Sequence, residues 1–291
     1  MLAGRSERRL GMALVTAAAV AWSTAPFFTR LLPFDPWTIL FYRGLFGGGF
    51  ILLFLALKEG RTALGNLLSM GNGIWLVAFL STLGMVSFIP ALQETAVTNV
   101  AVIIATQPFV AAAFAWAWFR EAVRPGTLLA SLVAFVGVGI VVSAATANSD
   151  VSGIGLACLM VLAISAMTVA IRRYKHISMV GAAALSNFLG SLISMAFARD
   201  IAHVTSGDIT ILAMFGFFQV ALGLTLFALG SRLLPSGQAS LVATLETPLM
   251  PFWVWLAFDE IPTSRALAGG ALVMAAVIAD IIDDHRPRGK G

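Results

Sequence analysis

The chain alternates long apolar runs with short polar breaks along nearly its whole length. A run of about 20 apolar residues is long enough to cross the hydrocarbon core of a bilayer as an α-helix. Turn residues and charges mark the breaks, as in PFDP at 33–36 and KEGR at 58–61. We predict ten transmembrane helices, at residues 10–30, 36–57, 73–92, 97–119, 126–145, 153–173, 178–198, 210–230, 237–257 and 265–283.

The composition also indicates that most of the chain lies in a lipid bilayer. The chain is 59% hydrophobic and 11% charged, whereas an ordinary soluble domain is about 25% charged. Its mean hydropathy is +0.93, and the core of one water-soluble domain could not bury so many apolar side chains. The apolar runs are too long and too continuous for the alternating strands of a β-barrel. We therefore predict an all-α integral membrane protein that crosses the bilayer many times.

The basic residues are distributed unevenly between the predicted loops. With the N-terminus in the cytoplasm, only Arg30, Arg199 and Arg265 lie outside, and Arg43 lies within the second helix. This asymmetry follows the positive-inside rule and places both termini in the cytoplasm. The net charge of +4 is thus explained by loops facing anionic lipid, and not by nucleic acid. The inside residues are Arg5, Arg8, Arg9, Lys58, Arg61, Arg120, Arg124, Arg172, Arg173, Lys175, Arg232, Arg286, Arg288 and Lys290.

The two halves of the chain resemble each other. Residues 99–142 and 237–280 each begin with small residues and end in a helix rich in glycine and alanine. Since five helices are an odd number, the second copy enters the membrane from the opposite side and makes an inverted repeat. We divide the chain into two five-helix repeats, 1–145 and 146–291. The shared landmarks are Ala105-Thr106 and Ala243-Thr244, Trp116-x-Trp118 and Trp253-x-Trp255, and Phe119-x-Glu121 and Phe258-x-Glu260.

Several further motifs occur in order along the chain. They are Trp22-Ser23, YRGLFGG at 42–48, PALQETAVTNVAVIIATQP at 90–108, RLLPSGQASLVATLETP at 232–248 and the two Phe-x-Glu helix ends. Together they resemble the EamA-type carriers of the drug/metabolite transporter superfamily, over essentially the whole chain. Within that superfamily the sequence is most similar to the bacterial aromatic amino acid exporters, and next to the threonine/homoserine exporters.

The resemblance implies a ten-helix, multi-pass protein of the bacterial inner membrane that exports small amphipathic metabolites. Aromatic or other hydrophobic amino acids are the substrate class it implies first. Threonine- or homoserine-like amino acids and cationic drugs are the alternatives. We expect no cofactor and no enzymatic activity, with the small-molecule substrate and lipid as the partners. We also expect a monomer or a weak homo-oligomer.

One acidic residue interrupts an apolar run near the end of the chain. Glu246, followed by Pro248, lies within ATLETPLMPFWVW at 243–255. A carboxylate in hydrocarbon is costly and usually has a functional role. Gln107-Pro108 occupies the matching place in the first repeat, and at 1.5 Å per residue both sites lie about 15 Å deep. We therefore expect them to meet near the midplane, where inverted-repeat carriers bind their substrates.

A proline inside a helix also leaves a carbonyl without its donor. We expect the carbonyls around Thr106 and Thr244 to be freed in this way and to face substrate or water. Glu246 is the candidate for proton coupling, because a carboxyl group reached from each side in turn can carry a proton. Pro90, which opens one of the shared motifs, is a further candidate binding residue. The alternative is that the prolines only shape packing and that Glu246 satisfies a neighbour's donor.

Trp22 differs from the other tryptophans because it lies in the middle of a predicted helix, beside Ser23. Its ring is either packed against another helix or part of a stacking wall for an apolar substrate side chain. Tyr42, Phe217 and Gln219, with Phe218, are candidates to complete such a pocket. The remaining tryptophans lie near predicted helix ends and are explained as interfacial belt residues: Trp37, Trp75, Trp116, Trp118, Trp253 and Trp255.

Arg43 is the second charge at membrane depth. An arginine there is expected to face the bundle and to pair. Its partner is either a substrate carboxylate, which makes Arg43 a binding residue, or the C-terminal carbonyls of a helix, which makes it a brace.

Other functional classes fit the sequence less well. A membrane enzyme needs a cluster of acid–base residues at one level, but His176, His203 and His285 all fall in loops or the tail. A channel needs polar rings from several helices, and the polar residues are few. There is no phosphate-binding loop for ATP, and Cys158 is the only cysteine, so we predict no metal site. A carrier with one amphipathic cavity fits best.

The predicted topology is tested with single cysteines in a Cys158→Ser background. We expect an impermeant thiol reagent added to intact cells to label a cysteine at Asn148 but not one at Lys175, because 146–152 faces outward and 172–177 faces the cytoplasm. Equal labelling at both positions, or labelling only at position 175, would contradict both the orientation and the inverted repeat.

Overall fold

The computed structural model of the protein describes residues 2–60, 71–120, 125–143, 148–174, 178–234, 239 and 242–284. Within these ranges the chain is helical and contains no strand. A π-helix at Gly216–Leu222 joins the helices Ser206–Phe215 and Gly223–Gly230. The helices are α1 (Leu2–Ser23), α2 (Ala25–Leu31), α3 (Pro36–Glu59), α4 (Asn72–Glu94), α5 (Val97–Ile104), α6 (Gln107–Phe119), α7 (Pro125–Val142), α8 (Asn148–Arg173), α9 (Met179–Met195), α10 (Ser206–Phe215), α11 (Gly223–Gly230), α12 (Glu246–Phe258) and α13 (Ser264–Asp284).

Seven segments of the described chain are long and apolar enough to cross a bilayer, and Val180–Met195 is apolar but shorter. The helices α12 and α13 fall in the last two predicted intervals. Ten spans remain a prediction, since only seven segments of the described residues qualify. Glu121, Lys175 and much of 235–241 lie outside the described residues. The seven spans are Ser6–Leu31, Pro36–Lys58, Gly73–Glu94, Val97–Phe119, Pro125–Val142, Asp150–Ile171 and Ser206–Leu233.

Three of the predicted spans are interrupted, at Thr24, at Ala105–Thr106 and at Thr244–Leu245. Each interruption comes just before a helix with a proline in its first turn, where the missing proline N–H costs nothing. At each one a backbone N–H bonds to the carbonyl three residues back instead of four. These bonds join Thr24 N to Ala21 O (3.3 Å), Thr106 N to Ile103 O (3.0 Å) and Leu245 N to Val242 O (3.2 Å).

Glycines allow the helices to approach closely, as is typical in membranes. A Cβ added at Gly44 of α3 would lie 2.7 Å from the carbonyl oxygen of Asn187 in α9. A Cβ at Gly269 of α13 would lie 2.5 Å from the carbonyl oxygen of Gly137 in α7. In both places the glycine faces a backbone carbonyl of the neighbouring helix. A larger residue at either glycine would therefore force the helices apart.

The packing of the helices follows the internal repeat. α3 packs on α9 and α7 on α13, so each of these helices meets its counterpart from the other half. The pair α4–α8 likewise corresponds to the pair α11–α1. The ends of α6 and α12 also match, because Arg120 and Asp259 both take a left-handed backbone with φ of 55°. Each donates its N–H to the carbonyl four residues back, of Trp116 (2.9 Å) and Trp255 (3.1 Å).

Helix ends that we predict to lie on the same side of the membrane are in contact. The Thr95 hydroxyl, after α4, donates to Asp150 of α8 at 3.3 Å. Near the opposite ends of the helices, the Thr127 hydroxyl of α7 donates to Asp280 of α13 at 2.7 Å. These contacts agree with the alternating directions expected of the spans. Which end faces the cytoplasm remains a prediction.

Asp35 starts α3 on the side that we predict to be outside. Its carboxylate accepts the backbone N–H groups of Trp37 (2.9 Å) and Thr38 (3.1 Å), as an N-cap does, and also that of Arg199 (3.2 Å). Partial burial acts to raise the pKa of Asp35, but the Thr38 hydroxyl and these three N–H groups outweigh it and hold the pKa below its usual value. The cap thus ties α3 to the segment after α9.

We expect Asp35→Ala to lower the free energy of unfolding by about 0.5–2 kcal/mol at neutral pH, the usual loss for an N-cap. Because the folded pKa lies below the unfolded one, the wild-type advantage is complete above about pH 4 and declines as pH falls through the folded pKa. Thermal unfolding of purified protein in detergent, at pH 7 and at low pH, measures both effects. A gap between wild type and variant that widens on acidification would contradict this role.

Candidate functional site

The interrupted helices meet inside the bundle. α12 packs against α1, α2 and α5, and its Trp253 indole N–H donates to the Ser23 hydroxyl at 2.8 Å. The Ser23 hydroxyl in turn donates to the Val20 carbonyl at 2.7 Å. Met250, between Trp253 and the start of α12, is fully buried in the largest core cluster together with Phe28. The interruption at Thr24 is therefore joined directly to the helix that begins with Glu246.

Glu246 is the first residue of α12 and is half-buried. Within the described part of the chain its carboxylate makes no hydrogen bond and no ion pair. It lies two turns, about 10 Å, from Trp253 on the same face of α12. The N-terminal end of a helix favours a negative charge, which offsets part of the cost of burial. The predicted neighbour that satisfies Glu246 is thus not found among the described residues.

Thr106 and Thr244 behave differently from the prediction. The Thr106 carbonyl accepts two backbone N–H groups, from Phe109 (3.0 Å) and Val110 (3.2 Å), and the Thr244 carbonyl accepts that of Thr247 (3.1 Å). The carbonyls of Thr106 and Thr244 themselves are therefore not free, because the tightened turns supply new donors. The Thr106 hydroxyl is also engaged, since it donates to Ile103 O at 2.7 Å.

Gln107 lies at the corresponding interruption in the first half. It is half-buried, and its carbonyl accepts the Ser165 hydroxyl of α8 at 3.2 Å. Its side-chain amide has no hydrogen-bond partner among the described residues. The Gln107 amide and the Glu246 carboxylate thus both lie beside a helix interruption, and neither group has a hydrogen-bond partner among the described residues. Their common depth, expected from the sequence, remains a prediction.

Trp22 packs against α11. A Cβ at Gly223 would lie 2.6 Å from the Trp22 ring, so this glycine provides the space that the indole fills. The Phe227 ring lies 5.1 Å from the Trp22 ring, between centroids. One side of Trp22 therefore contributes to helix packing. The stacking role for a substrate remains a prediction, carried by the part of this half-buried ring that is exposed.

Arg43 is 4% exposed and pairs across the bundle, as predicted for a charge at this depth. Its partner is neither of those considered from the sequence: Nε donates to the side-chain oxygen of Gln219 at 3.1 Å, and Nη2 donates to the same oxygen. Its guanidinium carbon lies 5.1 Å from the centre of the Phe215 ring, which stacks on Phe28. The third nitrogen, Nη1, is buried and has no hydrogen-bond partner among the residues that the structure describes.

Gln219 reaches Arg43 from the π-helix, an insertion that is frequent at functional sites. The other pocket candidates have separate neighbours. The Tyr42 hydroxyl donates to the Ile201 carbonyl at 3.4 Å, Phe217 is exposed beside Phe50, and Pro90 is buried inside α4. None of the described ring contacts or hydrogen bonds joins Trp22 to Tyr42 or Phe217.

Trp253 was explained from the sequence as a belt residue, but its indole N–H is used inside the bundle. The signal that identifies it is its spacing, because Trp253 follows Glu246 by seven residues and so shares its helix face. Sequence analysis also missed the pairing of Arg30 with Glu260, since their ion pair (3.0 Å) joins residues distant in the chain.

Comparison with known proteins agrees with this architecture. The sequence profile of the EamA-like transporter family matches residues 9–143 and, a second time, residues 151–279. The chain belongs to the EamA-like transporter family. Its two family units make the internal repeat a fact of the sequence, and the chain is accordingly a multi-pass membrane transporter of this family.

The EamA-like chain is also similar in fold to a protein of known crystal structure. The TM-score is 0.64 and the identity 16%, over 92% of this chain and 95% of that chain. At this identity the likeness shows the fold alone. None of the curated proteins compared with the chain matches it.

We expect Gln219→Leu to destabilise the protein by about 1.5–3 kcal/mol, because it removes the acceptor of a buried charged donor. Gln219→Glu keeps an acceptor and should retain most of the stability. Met214→Leu, at an exposed apolar position in the preceding helix, is the control and should change stability by about 0.5 kcal/mol or less. Thermal unfolding in detergent measures all three. Equal melting temperatures for Gln219→Leu and Met214→Leu would show that Arg43 does not depend on Gln219.

Proposed function

We propose that this protein is a secondary transporter of the bacterial inner membrane that exports small amphipathic metabolites by alternating access. Aromatic or other hydrophobic amino acids are the proposed substrates. The observation that carries the proposal is the meeting of interrupted helices beside Glu246, a half-buried carboxylate without a described partner. Carriers with internal repeats bind substrates at such interrupted helices.

The chemistry of the two membrane-embedded charges supports an amino acid as substrate. Glu246 offers a carboxylate to the ammonium group of a substrate or to a proton. Arg43 offers a buried N–H group, on Nη1, to an anion such as a substrate carboxylate, or else serves as a brace between α3 and the π-helix. Trp22, Ser23 and Gln107 are the proposed neighbours of the apolar and polar parts of the substrate. Proton coupling is assigned to Glu246.

A second substrate class is favoured by the same residue. Because the Glu246 carboxylate has no described counter-charge, a cationic amphipathic drug meets the same need as an amino acid ammonium group. Threonine- or homoserine-like amino acids differ from aromatic ones only in the side chain, which the apolar part of the pocket would receive. A labelled panel of these three classes, tested with purified protein in liposomes, separates them.

Proton coupling is tested with Glu246→Gln, which keeps the shape and most hydrogen bonds but removes titration. We expect the variant to lose uphill transport driven by a pH gradient while keeping downhill exchange in liposomes. Glu7→Gln removes an exposed carboxylate of α1 and is the control that should leave both activities unchanged.

Two outcomes contradict parts of the proposal. If wild-type transport ignores the pH gradient, proton coupling is wrong and Glu246 is at most a binding residue. If Glu246→Gln also binds and transports normally, Glu246 has no role in the substrate site.

A further inference from the structure

Arg30 occupies the last turn of α2 and uses all three nitrogens of its guanidinium group. Nε pairs with the Glu260 carboxylate at 3.0 Å, and Nη1 donates to the Leu92 carbonyl at 2.7 Å. Nη2 donates more weakly to the Thr95 carbonyl at 3.4 Å. The latter two carbonyls belong to the end of α4, where a helix favours positive charge. Arg30 therefore joins the first interrupted span to the corner between α4 and α5.

Glu260 provides the link to the other half of the chain. It follows the left-handed Asp259 at the end of α12, and its second carboxylate oxygen accepts the backbone N–H of Val97 at 3.2 Å. Val97 starts α5, and helix N-termini favour negative charge. Glu260 belongs to the second half of the chain and Arg30 to the first, so the ion pair bridges the two repeats.

The cluster lies at the ends of the same segments that form the candidate site. α2 follows the interruption at Thr24, α5 leads into the one at Ala105–Thr106, and α12 follows the one at Thr244–Leu245. Beside the ion pair, the rings of Phe27 and Phe258 pack against each other with centroids 5.8 Å apart. The three segments are thus held together at the ends away from their interruptions. Polar contacts hold them there, and aromatic rings pack alongside.

The exposure of the pair allows it to open. The Arg30 and Glu260 side chains are 25% and 29% exposed, so water can replace each partner and the ion pair is weak compared with a buried one. A closure that must break in every transport cycle requires contacts of the exposed kind.

We propose that Arg30 and Glu260 form a latch that closes one end of the substrate pathway between the two repeats, the end that we predict to face outward. Opening of the latch exposes the site beside Glu246 to that side of the membrane. This inference rests on the proposed carrier function, since a latch of this kind serves alternating access.

The first test measures access to the site. Thr24→Cys in a Cys158→Ser background reports on the first interruption. We expect Arg30→Gln and Glu260→Gln each to raise its rate of labelling by an impermeant thiol reagent at least threefold, from the side carrying the latch. Labelling is compared in intact cells and inverted vesicles, so the side is identified in the same experiment.

Asp208→Asn is the control for the loss of a charge at the same end. Asp208 bonds within its own turn, to Thr205 at the start of α10, and should leave the labelling rate unchanged. Labelling rates in Arg30→Gln and Glu260→Gln equal to that of Asp208→Asn, with the cysteine reactive in denatured protein, would overturn the latch.

The second test locks the latch. Arg30→Cys and Glu260→Cys, joined by a short bifunctional thiol reagent in the Cys158→Ser background, should lose transport in liposomes and recover it when a cleavable linker is reduced. Undiminished transport by fully linked protein would overturn the proposal. Absence of transport in the unlinked parent would instead contradict the proposed function, while the labelling test would still decide whether the latch exists.

Discussion

The structure depends on satisfying backbone hydrogen bonds where there is no water to do so. Three spans are nevertheless interrupted, and each interruption follows the same solution. The chain tightens by one residue so that an N–H reaches the carbonyl three residues back, and the next helix starts with a proline in its first turn. Thr24 and Thr106 add hydroxyl groups to the same carbonyls, of Ala21 and Ile103. Non-helical backbone is thus placed inside the bundle without leaving the described carbonyls of Thr106 and Thr244 bare.

The charges at membrane depth are treated in two ways. Arg43 is enclosed, and two of its three guanidinium nitrogens donate to the side-chain oxygen of Gln219. Glu246 is only half-buried, and its carboxylate has no hydrogen-bond or ion-pair partner among the described residues. A fixed charge with a partner stabilises one arrangement, whereas a charge without one makes the arrangement depend on a ligand.

The internal repeat organises the packing of the helices. Counterpart helices pack on each other, as α3 does on α9 and α7 on α13, through glycines such as Gly137 and Gly269 that bring backbones into contact. The interrupted segments α2 and α5 both pack on α12, and the pair Arg30–Glu260 joins α2 to the end of α12.

The sequence by itself determined the class of fold, the repeat and the residues worth examining, because long apolar runs permit one spanning structure and because Glu246 and Arg43 are costly in lipid wherever the chain places them. It indicated the interruptions through Pro108 and Pro248, since the effect of a proline is local. It did not provide the partner of Arg43, the bond from Trp253 to Ser23 or the pairing of Arg30 with Glu260. Those contacts join residues far apart in the chain, and only the packing of the helices decides which side chains meet.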